Sequence, residues 1–395
     1  MNSAAPPVLM FHSIADHYRS LPWKPIICST GAFERYVSHL VKAGYRSLSL
    51  SDYLGCLNGG DRLPRKAVII TFDDGYLDNW VNAFPILKKY RLKATVFVST
   101  DFIDPTETVR KNLEDYWEGK TALDELDWYG YLSWNELRTM SKNGVFEIGS
   151  HTQSHTWYFK SPEIVDFSHP DDPYMWLDWN RDPSIKPFWV QRERPKRWGC
   201  PVYEYGPSLT TRIFKPGREL EKTFTDYVAS SGGESFFRSK NWRRQLFDLT
   251  AELGDDVNSS GSLESEKAFR ERQVREIKLS RELLEEGLGT NVTSLAWPND
   301  AYTSELIRLA HEEAGYGLTC TVEKCEEEAV ADYPILSRMF VGEKYGSAFL
   351  DSLRFKTKLA ASRNRAVARL LKTAVSCKKR VMSALRIVRK REGHS

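Results

Sequence analysis

The first 155 residues alternate between short apolar runs and stretches in which apolar side chains recur with helical spacing. Apolar runs at 8–11, 67–72, 94–98 and 145–149 predict strands. Between them the pattern predicts helices with these markers: Thr30 as a cap before Phe33, Tyr36, Val37 and Leu40; Ser51 as a cap; a helix through Trp80, Phe84 and Leu87; and a Ser133-x-x-Glu136 capping box. Repeated strand–helix units are typical of parallel strands with helices outside, so the pattern predicts an α/β barrel or open sheet.

Residues 156–261 interrupt this alternation. They hold six of the twelve Trp, many Pro and Gly, and little periodicity, which indicates an insertion. The alternation then resumes with a helix at about 262–287, strands at 293–297 and 317–322 around a helix at 304–313, and a last strand at 334–341. We therefore predict one domain over 1–350, interrupted by the insertion.

Residues 351–395 form a separate, basic tail in this interpretation. The stretch 352–391 holds 14 Lys or Arg and no Asp or Glu, although the whole chain has 56 basic and 53 acidic residues. Its apolar positions have helical spacing with a basic opposite face, which predicts an amphipathic helix. An anionic membrane surface is the favoured partner for such a helix, and a solvated tail is the alternative. No nucleic-acid-reading module accompanies it, so nucleic acid is not expected.

The sequence also narrows the cellular setting. No run of about 18 apolar residues predicts a membrane-spanning helix, and the first residues resemble no secretion signal. The six cysteines are scattered without a Cys-x-x-Cys pair, as in a reducing compartment. We expect a cytoplasmic protein, peripheral on the inner face of the membrane if the tail binds there.

Two motifs carry the chemistry. Asp73-Asp74-Gly75 follows the apolar run 67–72, and His151 and His155 follow the run 145–149. Carboxyl ends of parallel strands meet at one edge of a sheet, where α/β folds place their active sites. If the histidines share one face of a helical turn, they can bind one ion together with a carboxylate, leaving the second carboxylate as a base. Asp-Asp-Gly alone is usually a turn, but the joint occurrence favours a metal site.

These motifs resemble those of the polysaccharide deacetylases, the NodB-like carbohydrate esterases of family 4. The resemblance covers about 1–155 and 262–342. It implies a distorted (β/α)7 barrel and metal-dependent removal of N-acetyl groups from amino sugars. Asp73 would be the general base, and Asp74, His151 and His155 the metal ligands. Zinc is the default ion by ligand type, with cobalt, nickel and manganese left open.

The opening residues are similar to one branch of that family. Val8-Leu9-Met10-Phe11-His12-Ser13 resembles the start of the poly-N-acetylglucosamine deacetylases, which implies that His12 is the general acid. The alternative is a buried, hydrogen-bonded histidine at a strand end. The late stretch 335–338 has no histidine that could replace it.

Four further residues are predicted to contact substrate. Trp297 and Pro298 occupy the place of the family's groove-lining aromatic–proline pair, and Trp157 follows His155 in the Trp-rich insertion, whose aromatic rings suit sugar faces or simply a core. Many family members have an arginine near the aromatic–proline pair that orients the base. Arg338 is the candidate to replace it, and a surface arginine is the alternative.

We therefore predict a hydrolase that removes N-acetyl groups from the amino sugars of a polysaccharide or glycan precursor. A deformylase or deacetylase of a lipid-linked amino sugar would use the same machinery. A non-catalytic glycan-binding homologue is the third hypothesis.

Overall fold

The computed structural model describes residues 5–16, 24–254, 261–323, 325 and 328–363. Its strands, in chain order, are β1 (Val8–Phe11), β2 (Ser13–Ile14), β3 (Ile27–Cys28), β4 (Arg46–Leu48), β5 (Ala67–Phe72), β6 (Ala94–Val98), β7 (Phe146–Ser150), β8 (Trp157–Phe167), β9 (Pro201–Pro207), β10 (Phe214–Pro216), β11 (Gly261–Leu263), β12 (Ser294–Ala296), β13 (Leu318–Thr321), β14 (Ile335–Ser337) and β15 (Met339–Phe340). The α-helices are Thr30–Lys42, Leu50–Leu57, Phe84–Lys89, Leu113–Trp117, Trp134–Lys142, Trp176–Arg181, Arg218–Ser230, Trp242–Leu253, Glu266–Leu288, Ser304–Arg308 and Ala348–Arg363.

Parallel strands form a closed barrel. The order around it is β1, β5, β6, β7, β12, β13 and β14, and β15 then pairs with β1. Since β14 and β15 are separated only by Arg338, they act as one last strand that joins both edges of the sheet. The short strand β4 adds to β5 in parallel. The barrel strands are buried and apolar, as expected when helices cover a parallel sheet. The predicted distorted (β/α)7 barrel is confirmed.

Two predicted helix caps were wrong by one or two residues. The first helix is capped by Ser29, not Thr30, because the Ser29 hydroxyl accepts a hydrogen bond from the Ala32 amide. The second is capped by Ser49 in a capping box with Asp52, while Ser51 donates its amide and its hydroxyl to Glu147 on β7. Ser51, which the local sequence favoured as the cap, is thus bound to a side chain of the neighbouring strand instead of the helix end.

The insertion is built on a long antiparallel pair, β8 and β9. One of its faces packs with the helices Arg218–Ser230 and Trp242–Leu253 around an apolar cluster of their own, which includes Phe167, Phe224 and Leu246. A second cluster joins insertion residues to barrel loops: Tyr76, Phe102 and Tyr131 pack with Tyr174, Trp176, Trp179 and Val202. The insertion is thus anchored beside the carboxyl ends of β5 and β6.

The last described helix packs on the outside of the barrel. Phe355 stacks on Tyr36 of the first helix with ring centroids 4.5 Å apart. The predicted start of the tail at residue 351 falls inside this helix, Ala348–Arg363. The rest of the predicted amphipathic tail, 364–395, lies outside the described residues. Among the helices that are described, none is long and apolar enough to span a bilayer.

Candidate active site

The first motif forms a sharp turn at the end of β5. The Asp73 amide donates to the carbonyl of Phe11 at 3.0 Å and so extends the pairing of β5 with β1. Asp74 and Gly75 then adopt left-handed backbone angles, with φ of 72° and 71°. A Cβ at Gly75 would lie 2.7 Å from Val98 Cγ1, so glycine alone fits there. This turn points the two neighbouring carboxylates in different directions.

The second motif is a loop, and the predicted helical turn was wrong. The His151 amide donates to the carbonyl of Val98 at 2.9 Å, which extends the β6–β7 pairing. Thr152 and His155 then have positive φ, 62° and 38°, which is incompatible with a helix. The two imidazoles nevertheless meet, with ring centroids 4.9 Å apart. The strained backbone of the loop brings the two imidazoles together, whereas the sequence predicted that helical i, i+4 spacing would do so.

Asp74, His151 and His155 present three ligand atoms to one point. All three atoms lie within 4.8 Å of one another, and Asp74 Oδ1 is 3.4 Å from His151 Nε2 and 3.3 Å from His155 Nε2. His151 Nδ1 lies 2.9 Å from the carbonyl oxygen of Ala296, which can only accept, so Nδ1 carries the proton and Nε2 keeps its lone pair. A lone pair on His151 Nε2 that faces Asp74 Oδ1 requires a cation between the two atoms. The set fits a divalent metal with two imidazole ligands and one carboxylate ligand.

The other carboxylate, Asp73, is held by a buried cation. Arg338 Nη1 donates to Asp73 Oδ1, and the two side chains are 1% and 4% exposed. Burial opposes ionisation of Asp73, but the nearby charge of Arg338 and its hydrogen bond hold the pKa of Asp73 below the ordinary value. Arg338 lies in the barrel wall between β14 and β15, so it is not a surface residue. Its contact with Asp73 suits an orienting role more than direct contact with substrate.

His12 lies on the other side of Asp73. Its Nε2 is 3.8 Å from Asp73 Oδ2, and its Nδ1 is buried without a hydrogen-bond partner among the described residues. Burial lowers the pKa of His12, and the charge of Asp73 only partly offsets this effect. The imidazole is therefore neutral near neutral pH, next to the predicted base.

For Asp74, burial alone would raise the pKa. The adjacent imidazoles of His151 and His155 outweigh that effect and hold the pKa of Asp74 well below its ordinary value. The carboxylate is therefore ionised and available as a ligand over the whole physiological pH range.

These groups open onto a cavity of about 880 Å³. Its floor is formed by His12, Asp73, Asp74, His151, His155 and Arg338. Its walls are largely aromatic, and the residues are Tyr76, Phe102, Tyr131, Trp157, Tyr174, Trp176, Trp179, Trp189 and Tyr205. Many of these rings come from the insertion, which therefore covers the catalytic end of the barrel. A cavity of this size and composition is typical of a small-molecule or sugar site.

The predicted substrate residues occupy different depths. Trp157 lines the cavity with its ring centroid 5.8 Å from that of His155. Trp297 also lines the cavity but is 1% exposed, and Pro298 is buried behind it. Asn299 and Asp300 follow at the rim with φ of 55° each. His39, His169 and His311 lie outside the ligand group. His17 and His394 lie outside the described residues.

Sequence reasoning missed the aromatic residues that the barrel itself contributes. Tyr76 and Tyr131 stack at 5.4 Å, and Phe102 packs edge-on against Trp179 of the insertion at 5.0 Å. Tyr76 follows Gly75 directly, so its place near the site could have been inferred from the turn. Tyr131 and Phe102 belong to loops without a motif, and no sequence signal marks them.

Comparison with known proteins agrees with this geometry. Residues 60–172 match the polysaccharide deacetylase family. This region belongs to that family. The match includes both motifs and the first part of the insertion, and it confirms the family that the motifs predicted.

Two similar proteins are poly-β-1,6-N-acetyl-D-glucosamine N-deacetylases. That of Escherichia coli K12 is 27% identical over 144 residues, which is 36% of this chain and 20% of the relative. That of Staphylococcus aureus MSSA476 is 31% identical over 124 residues, 31% of this chain and 36% of the relative. The alignments thus span well under two thirds of either relative. They agree with the branch that the opening residues predicted.

The fold also matches a solved structure. A de-N-acetylase from Aggregatibacter actinomycetemcomitans superposes with a TM-score of 0.54 at 18% identity, covering 88% of this chain and 98% of the other. At that identity the likeness establishes the shared barrel fold.

Proposed function

We propose that this protein is a metal-dependent hydrolase that removes acetyl groups from the N-acetylated amino sugars of a glycan. The convergence of the Asp74–His151–His155 ligand set with Asp73 and His12 on one cavity floor carries this proposal. The deacetylase family match over 60–172 and the names of the relatives support the same reaction class.

The reaction that we infer uses each floor residue once. A divalent ion bound by Asp74, His151 and His155 would polarise the amide carbonyl and make water acidic enough to attack it. Asp73 Oδ2 takes the proton from the attacking water, because Arg338 keeps Asp73 ionised through Oδ1. Asp73 Oδ2 and His12 Nε2 are 3.8 Å apart, which is longer than a hydrogen bond, so we infer that a water molecule relays that proton to His12. His12 then protonates the departing amine nitrogen, the C–N bond breaks, and acetate leaves.

Asp73→Asn tests the assignment. The amide cannot accept the proton of water, so we expect acetate release from N-acetylglucosamine oligomers to fall by about 10²- to 10⁴-fold. Metal content, measured by mass spectrometry after dialysis, should stay at the wild-type level because Asp73 is not a ligand.

Two further variants make the result specific. Asp74→Asn should lose both activity and metal, and Asp61→Asn on the surface should lose neither. Near-normal turnover by Asp73→Asn, or wild-type turnover without bound metal, would refute the assignment of roles.

A further inference from the structure

Lys186 lies in the insertion, in the 3₁₀ helix Pro183–Gln191, yet its side chain reaches the barrel. The residue is 2% exposed. Its ammonium group donates to Asp101 Oδ2 at 2.8 Å and to the carbonyl oxygen of Ser154 at 2.9 Å. It also lies 5.4 Å from the ring centroid of Phe102. A buried lysine needs such partners, because an unpaired buried charge is costly.

The contact with Ser154 matters because Ser154 precedes His155. The strained loop is fixed by hydrogen bonds at successive residues. Gln153 N–H donates to the carbonyl of Glu276 at 3.1 Å, and Ser154 N–H donates to Glu276 Oε2 at 2.9 Å. The Lys186 ammonium group then donates to the carbonyl oxygen of Ser154, in the peptide unit that follows. It is the contact through which the insertion reaches the peptide unit that leads into His155.

We propose that Lys186 is a positioning residue for the metal site. By binding the Ser154 carbonyl, it holds the positive φ of His155 and directs Nε2 toward Asp74. This inference rests on the proposed function only in that Asp74, His151 and His155 bind a metal. It gives the insertion a role in assembling the ligand set in addition to covering the cavity.

Metal affinity of Lys186→Met tests the proposal directly. Methionine keeps the buried volume but cannot donate to Ser154. We expect the dissociation constant for zinc, from competition with a chromophoric chelator, to rise by about 10- to 100-fold, as for other partners of metal ligands. The visible spectrum of the cobalt-substituted protein should also change, because the His155 ligand is displaced.

Two controls separate positioning from general stability. Arg194→Met removes a cation that bonds Asp172 and Asp178 within the insertion, so it should leave zinc affinity within about twofold of wild type. Asp101→Asn leaves the Lys186–Ser154 bond in place, so its effect should be smaller than that of Lys186→Met. If Lys186→Met does not fold by circular dichroism, Lys186→Gln takes its place.

The outcomes distinguish this inference from the proposed function. Wild-type zinc affinity and an unchanged cobalt spectrum in the lysine variants would overturn the positioning role, whatever the activity. Failure of the wild-type protein to bind zinc would overturn both proposals. Tight zinc binding by the wild type without deacetylation would overturn the proposed function, and a loss of zinc affinity in Lys186→Met would then still support the positioning role.

A second inference comes from a different part of the molecule. The helix Ala348–Arg363 buries Phe355 and Leu359 against the barrel. It exposes an apolar outer face that consists of Phe349, Leu350 and Leu353, which are 74%, 45% and 51% exposed. The sequence 352–391, which begins within this helix, has 14 basic and no acidic residues.

We propose that the apolar outer face binds an anionic lipid bilayer. Exposed apolar side chains next to a run of basic residues combine the two attractions that hold a peripheral protein on such a surface. Co-sedimentation with phosphatidylcholine vesicles, with and without phosphatidylserine, measures the binding.

A triple variant, Phe349→Ser, Leu350→Ser and Leu353→Ser, should bind the anionic vesicles at least about tenfold more weakly. The matched control, Leu57→Ser with Leu123→Ser, alters leucines that are 51% and 55% exposed elsewhere, and should bind normally. Equal binding by the triple variant, or equal binding to neutral vesicles, would overturn the proposal. So would a wild-type dimer in solution that the triple variant converts to a monomer.

Discussion

The ion pair between Arg338 and Asp73 gives the sharpest test of the site's electrostatics. Both side chains are almost completely buried. Removing one partner of such a pair costs about 3–5 kcal/mol, because the other charge stays in a poorly solvated place. We therefore expect Arg338→Met to lower the free energy of unfolding by about this amount at pH 8. The loss is a large part of a typical total of about 5–15 kcal/mol.

The size of this loss should depend on pH. In the wild type the folded-state pKa of Asp73 is below its unfolded-state pKa. The ion pair therefore contributes its full stability at pH values above the unfolded-state pKa. That stability is lost as the pH falls through the folded-state pKa. In Arg338→Met burial would prevail and raise the pKa of Asp73 above its unfolded value. The variant then loses stability as pH rises between those two pKa values. The penalty of the substitution should therefore be larger at pH 8 than at pH 5.

Urea unfolding of the metal-free protein at pH 5 and pH 8 measures the effect. A double-mutant cycle with Asp73→Asn isolates the pair, and we expect a coupling energy of about 3 kcal/mol at pH 8 that decreases at low pH. Kinetics provide a second measurement, because the acidic limb of the kcat/KM profile should move to higher pH in Arg338→Met. Equal destabilisation at both pH values, or coupling below about 0.5 kcal/mol, would refute this account of Asp73.

Three other predictions follow from residues near the site. His12→Gln should reduce kcat by about 10²- to 10⁴-fold with zinc affinity unchanged, and loss of zinc would contradict its role as acid. Trp157→Ala should raise KM by about tenfold with little change in kcat, because it removes aromatic surface next to the ligands, and an unchanged KM for N-acetylglucosamine oligomers would contradict this. Burial raises the pKa of Asp78 to about 7 despite hydrogen bonds from Ser13, Ile14 and Asn79. Protonated Asp78 therefore stabilises the fold at low pH, and this contribution to stability is lost as the pH rises to about 7. Asp78→Asn should thus gain stability relative to wild type between pH 5 and pH 8, by about 2–3 kcal/mol, and a pH-independent difference in urea unfolding would contradict that.

The sequence predicted the barrel strands and the meeting of Asp74, His151 and His155, the candidate metal ligands, because their signals are local. An apolar run predicts each buried strand, and the motif residues lie at the carboxyl ends of β5 and β7, which the parallel topology brings together. The error at 151–155 also has a local cause. Spacing of four residues suggests a helix, but Thr152 and His155 adopt positive φ because several hydrogen bonds from other elements fix the loop.

The contacts that organise the site were only partly open to prediction because they join distant parts of the chain. The sequence offered Arg338 as a candidate to orient the base, but Asp73 is 265 residues away and the alternative of a surface arginine stayed open. Lys186 lies in a stretch without periodicity, where a lysine normally indicates solvent. The tryptophans of the insertion predicted either contact with sugar faces or a core of its own. Which rings face the cavity depends on how β8 and β9 pack on the barrel, and that packing leaves no periodic pattern.

The interrupted last strand has a consequence for how the protein matures. Ile335–Ser337 and Met339–Phe340 join the two edges of the sheet, and Arg338 lies between them. The complete ligand set, Asp74, His151 and His155, is synthesised long before this residue. A chain that emerges from the ribosome, or one truncated before residue 335, could therefore bring the candidate metal ligands together while Asp73, the proposed base, lacks its counter-ion. Enzymatic competence would then arise in a single late event, the docking of the final strand.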